Sequence, residues 1–92
     1  MSDVSELYRE SIAQLEALSA DFKISDEARE QANAQIAALR DKAQDAALDD
    51  LAARTDNLNA LAANLSSVLD KTTGGGGPLQ ALVERVKRTL GA

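Results

Sequence analysis

The sequence contains no cysteine and no histidine, and its aromatic residues are one tyrosine and one phenylalanine. The lack of cysteine and histidine excludes disulfides, thiolate or imidazole zinc sites, and nucleophile systems of the Ser-His-Asp or Cys-His kind. The core must be built from Leu, Ile and Val, because each of the 18 alanines buries little apolar surface. We therefore expect no catalytic residues, no metal and no cofactor, and a protein that is not an enzyme.

The sequence also lacks an apolar run near the ~20 residues that a membrane-spanning helix needs, and its start lacks a secretory signal pattern. Its net charge is −5, and residues 1–73 carry 14 acidic and 7 basic residues. An acidic segment of this kind repels phosphate backbones, so direct nucleic-acid binding is not expected. These features predict a soluble, cytoplasmic protein, and binding to a membrane surface is the weakest of the functions that the sequence leaves open.

Apolar residues recur every three or four positions from about residue 3 to residue 20, which predicts an amphipathic α-helix. Ser25 is a suitable N-cap for a second helix, whose first turn carries two acidic residues. A connection this short makes the two helices antiparallel neighbours, with Phe22 and Ile24 folded inward over its end. The sequence thus predicts an antiparallel helical hairpin.

Residues 26–71 contain neither glycine nor proline. Apolar positions from Ala32 to Val68 have a mean spacing of about 3.6 residues, which predicts one uninterrupted second helix ~69 Å long. The alternative is a bend near residues 55–57, where Thr, Asp and Asn favour caps and turns, giving a three-helix bundle. Both interpretations belong to the all-α class.

Four consecutive glycines and a proline follow this segment. A phosphate-binding loop needs a preceding strand and usually a Lys-Ser/Thr pair, whereas here a helix precedes and Pro78 removes one backbone donor. Residues 74–78 are therefore predicted to be a flexible hinge. They divide a helical domain over 1–73 from a short amphipathic helix over 79–92.

The C-terminal helix has one apolar face, with basic residues largely on its other sides. A helix of about twelve residues is marginal alone in water, so we expect it to dock. Three surfaces suit an amphipathic helix of this kind: its own domain, another subunit and an anionic membrane. The acidic charge of residues 1–73 favours self-docking, and the lack of aromatic anchors disfavours a membrane.

Two sets of polar residues have alternative interpretations. Asp41, Asp45 and Asp49 share one side of the predicted long helix, either as a solvated face, as a docking strip for a basic partner or as a weak divalent-ion site. Tyr8 and Lys23 are candidates for contact with an anionic planar ligand. Their ordinary interpretation is a partly buried tyrosine and a solvated lysine.

The first predicted helix, ~27 Å long, is too short to cover a stripe of ~69 Å. Exposed apolar strips of this size usually mark interfaces. We predict a helical interaction or scaffold module that associates with itself or with another protein. The alternative is a small acidic inhibitor or a protein that sequesters an anionic small molecule. The predicted interface residues are Leu51, Leu58, Leu61, Leu65, Val68, Leu79, Leu82, Val83, Val86 and Leu90.

Overall fold

The computed structural model describes residues 3–45, 48, 50–72 and 77–91. Four α-helices account for most of these residues, and no strand occurs within the described ranges. The all-α class predicted from the sequence is therefore confirmed. The helices are α1 (Asp3–Ala20), α2 (Asp26–Ala43), α3 (Arg54–Lys71) and α4 (Gly77–Gly91).

The connection between α1 and α2 is closed by local hydrogen bonds. Ser25 is the N-cap of α2, and its hydroxyl accepts a hydrogen bond from the Ala28 N–H at 3.1 Å. The Arg29 guanidinium donates to the carbonyl oxygens of Ser19 and Asp21 at 3.1 and 3.0 Å. These bonds satisfy backbone groups that the ends of the two helices would otherwise leave unpaired.

The predicted continuous helix over 26–71 is wrong, because α2 and α3 are separate helices. The alternative bend near residues 55–57 is also misplaced, since these residues lie at the start of α3. Between the helices, Leu48 turns into the core and is only 2% exposed. The physical reason is burial, because folding back lets α2 and α3 cover each other's apolar residues, which a straight rod would leave in water.

Buried polar groups hold the connection between α2 and α3 in place. The Asn57 side-chain amide donates to the Leu48 carbonyl oxygen at 3.2 Å. The Asn57 carbonyl oxygen accepts a hydrogen bond from the Tyr8 hydroxyl at 2.7 Å. Nearer the surface, the Asp50 carboxylate accepts from the Ala52 N–H at 3.0 Å. Of the polar residues that suggested a bend, Asn57 thus holds the connection that lies just before it.

The last two residues of the hinge predicted at residues 74–78 belong to a helix. α4 begins at Gly77, so Gly77 and Pro78 lie in its first turn, where proline fits because no backbone donor is needed. Residues 74–76 lie outside the described residues, as does Ala92 at the end of the predicted helix.

One apolar core joins the four helices. Each helix packs against the one before it, and α4 also contacts α1, which closes the arrangement. Surface ion pairs join α1 to α2, α2 to α3, and α1 to α4: Glu16–Arg40, Glu27–Lys71 and Glu10–Arg85. None of the described helices is long and apolar enough to cross a membrane. The core consists of Val4, Leu7, Tyr8, Leu15, Ala32, Ile36, Leu39, Leu48, Leu58, Leu61, Leu65, Val68, Leu79, Leu82, Val83 and Val86.

Candidate functional site

Most residues predicted to form an intermolecular interface lie inside the chain's own core. Eight of the ten have exposed fractions of 5% or less, and Leu90 is partly buried against them. Leu51 is 84% exposed. The apolar stripe does not remain uncovered, contrary to the expectation, because α3 folds back on α2 and α4 packs on α3. The eight buried residues are Leu58, Leu61, Leu65, Val68, Leu79, Leu82, Val83 and Val86.

Tyr8 and Lys23, considered for ligand contact, are not brought together. Tyr8 is fully buried in the first half of α1, where its hydroxyl donates to Asn57. Burial raises the pKa of Tyr8 from 10.0 to about 12. Lys23 is exposed beyond the far end of α1, and Tyr8 lies about 18 Å from Ala20 along the helix axis. The expectation of a shared ligand site is therefore corrected.

The three acidic residues predicted to share one helix side do not form a continuous helical strip. Asp41 lies in α2 and is exposed, Asp45 lies beyond the end of that helix, and Asp49 is outside the described residues. Lys42 forms an ion pair with Asp45 at 3.7 Å. Within the described part of the chain, no group of three or more His, Cys, Asp or Glu residues is placed to hold a metal ion.

The first candidate surface is the seam between α1 and α3, the region that α4 covers. α4 buries Leu79, Leu82, Val83 and Val86, and it leaves its basic residues on the outside. The buried positions are i, i+3, i+4 and i+7, which places them on one face of the helix. α4 therefore occupies the seam in the way that an amphipathic helix fills an apolar groove.

The boundary between α4 and α1 is packed less closely than the core. A cleft of about 200 Å³ lies between Gln14 of α1 and Ala81 of α4. A second cleft, of about 340 Å³, extends from Gln14 to Pro78. The Glu10–Arg85 ion pair spans this boundary at 2.7 Å, and both side chains are about half exposed. Exposed ion pairs contribute little to stability, so α4 is held on the other helices mainly by its apolar face.

The second candidate surface surrounds the connection between α1 and α2. Phe22 is 84% exposed rather than folded inward as the sequence suggested, whereas Ile24 is half-buried. A groove of about 190 Å³ lies beside this connection. We call this surface the Phe22 patch, defined as Phe22 with the residues that line the groove: Leu18, Asp21, Lys23, Ile24, Ser25, Ala28, Lys71 and Thr72.

Sequence reasoning missed the exposure of Phe22, and its charged neighbours Asp21 and Lys23 are the signal that would have indicated it. The Asp21 carboxylate accepts the Lys23 N–H at 2.9 Å, which keeps Phe22 at the outside of a tight turn.

Comparison of the chain with known protein families, with curated proteins and with solved structures found no match. The features that bear on function are therefore the two candidate surfaces, namely the seam between α1 and α3 and the Phe22 patch.

Proposed function

We propose that the protein is a non-enzymatic helical interaction module whose binding groove is the seam between α1 and α3. The observation that carries this proposal is the spacing of the buried residues on α4, from Leu79 to Val86. The same i, i+3, i+4, i+7 spacing anchors amphipathic helices in the grooves of other proteins. α4 is then an internal ligand on a glycine-rich tether, and the partner is a protein that carries a similar helix.

The tether sets how strongly α4 competes with such a partner. A tether of a few residues gives an effective concentration in the ~mM range, so a partner helix present at ~1 µM must bind about 1,000-fold more tightly than α4 does. If two copies exchanged their α4 helices, each α4 would form the same contacts as before. A second copy therefore cannot bind more tightly than the tethered α4 does. We therefore expect a helix of another protein in this groove, rather than α4 of a second copy.

The test uses the full chain and a fluorescent peptide with the sequence of residues 77–91. Val83→Asp with Val86→Asp places two carboxylates on the buried face of the tethered α4, which prevents its docking. We expect fluorescence anisotropy to show that the peptide binds this variant at least ~100-fold more tightly than it binds the original chain, because the tethered competitor is gone.

A control variant changes the outer side of the same helix. Lys87→Ser with Arg88→Ser should leave peptide binding at its original level, because both side chains are exposed. Circular dichroism checks that α1 to α3 stay helical when α4 is displaced. If the variant with two aspartates is helical and still does not bind the peptide, the groove assignment is wrong.

A second variant keeps every buried residue in place. Insertion of about sixteen Gly and Ser residues after Gly76 lengthens the tether and should strengthen peptide binding roughly tenfold, since effective concentration falls as about the −3/2 power of linker length. No change in affinity on lengthening would also contradict the proposal.

A second candidate function is inhibition of a basic protein, and the exposure of Leu51 favours it. Asp50 and Asp56 lie one residue before and five residues after Leu51, and both are exposed, whereas Arg54 between them is half-buried. An apolar side chain among carboxylates is complementary to a cationic surface. Titration calorimetry with such a protein should show affinity that falls with salt and in Leu51→Ser, but not in Phe22→Ser. Sequestration of an anionic small molecule has no support, because Tyr8 and Lys23 lie apart.

A further inference from the structure

We propose that the Phe22 patch is the site at which a second copy of this chain binds end to end, with Phe22 of each copy in the groove of the other. This contact goes beyond the proposed function, because it lies outside the seam that α4 covers. It gives the protein a homotypic partner in addition to a foreign helix.

The groove has room for a phenyl ring, and its wall is apolar on one part and polar on the other, where Asp21, Lys23 and Lys71 line it. Its volume is about 190 Å³, and an apolar cavity of roughly 150 Å³ is enough to bind benzene. Half-buried Leu18 and Ile24 and buried Ala28 supply the apolar part of its wall. A ring seated there would remove these side chains from water together with its own surface.

Phe22 does not fill the groove of its own chain, because the turn holds it away. The Asp21 carboxylate accepts the Lys23 N–H at 2.9 Å, and the Asp21 carbonyl oxygen accepts the Ile24 N–H at 3.4 Å. These bonds place Phe22 at the apex of the connection with 84% of its surface exposed. The ring and the groove are therefore available to another molecule.

The charges beside Phe22 favour a second copy over a foreign protein. Asp21 and Lys23 flank the ring and are both exposed. In a two-fold contact each patch meets its own rotated copy, so an arrangement that sets Asp21 of one chain against Lys23 of the other forms this pair twice. A partner of uniform charge would be repelled by one of the two residues, whereas a rotated copy satisfies both.

The size of this surface predicts a weak dimer. The two shorter dimensions of the molecule are 24 and 17 Å, so an end-to-end contact covers less than the ~800 Å² per partner of a standard interface. We therefore expect a dissociation constant between about 10 µM and 1 mM. The dimer should be close to twice as long as the 39 Å monomer.

The test is sedimentation equilibrium of the full chain from about 10 µM to 1 mM, the range in which weak contacts of this size form. The average mass should rise from 9.7 kDa towards twice that value. Phe22→Ser should stay monomeric over the same range. Lys23→Glu should weaken the dimer at least ~5-fold, because Asp21 of the partner then faces a like charge.

Leu51→Ser is the matched control, since Leu51 is also 84% exposed and lies outside the Phe22 patch, in the connection between α2 and α3. It should dimerise like the original chain, and circular dichroism should show equal helicity in all variants. A monomer at all concentrations would overturn the proposal. Association that persists in Phe22→Ser, or that Leu51→Ser also abolishes, would overturn the assignment to this patch.

Discussion

The buried polar groups act as specific links between elements. The Tyr8 hydroxyl joins α1 to Asn57 of α3, and the Asn57 side chain joins α3 to the carbonyl of Leu48. The buried Ser11 hydroxyl, by contrast, finds its partner inside α1, where it donates to the carbonyl oxygen of Leu7 at 2.6 Å. Among the described residues, no buried side-chain nitrogen or oxygen lacks a hydrogen-bond partner. These links favour one arrangement of a core that is otherwise made of interchangeable aliphatic side chains.

The pKa of Tyr8 leads to a prediction about alkaline pH. Burial raises this pKa to about 12, so the folded state keeps a proton that the unfolded chain releases near pH 10. The resulting stability is complete below pH 10 and is lost as pH rises from 10 to 12. Urea unfolding followed by circular dichroism should show this fall, with a smaller fall in Tyr8→Phe. If the free energy of unfolding fell equally in both proteins, the loss would not come from the ionisation of Tyr8.

The helices themselves were partly predictable from the sequence. The predicted first helix and α1 have the same bounds, because the apolar spacing runs from about residue 3 to residue 20 and a short connection to the next helix follows it. The break between α2 and α3 was not predictable from spacing, since the 3.6-residue pattern continues through it. That pattern included Leu51 and left out Leu48, and the structure buries Leu48 instead. Tertiary packing decided between two leucines that local sequence cannot distinguish.

The N-cap of α2 gives a prediction for a single element. Ser25→Ala removes the acceptor of the Ala28 N–H and should lower the free energy of unfolding by about 0.5–2 kcal/mol. Ser19→Ala is the comparison, because the Ser19 hydroxyl makes an exposed bond at 3.3 Å to the carbonyl of Glu16. Its effect on urea unfolding should be smaller, and a larger effect for Ser19 would contradict the assignment of the cap.

For the whole molecule, the closed core separates two leucines for which the sequence predicted the same role. Both Leu51 and Leu65 were predicted to face a partner, yet Leu65 is fully buried within the chain. The sequence predicted which faces are apolar, but not which helix covers each of them. The sequence therefore predicted the apolar residues that form the candidate groove. It did not predict the Phe22 patch, because the exposure of Phe22 depends on the shape of a turn.

This difference predicts unequal losses of stability. Leu65→Ala should cost about 2–5 kcal/mol because it leaves a cavity in the core. Leu51→Ala should change stability by less than ~0.5 kcal/mol because the side chain is already in water. Urea unfolding of the two variants measures both values. Similar losses would mean that Leu51 is covered in solution.

The order in which the helices pack has a consequence during synthesis. Since each helix packs on its predecessor, α1 to α3 can assemble as they leave the ribosome, and helical folds of this kind form within microseconds to milliseconds. Translation at about 5–20 residues per second then needs roughly one to four seconds to pass from the end of α3 to the end of α4. During those seconds the seam between α1 and α3 is uncovered, because α4 has not yet been synthesised. A helix of another protein can then bind there without displacing α4.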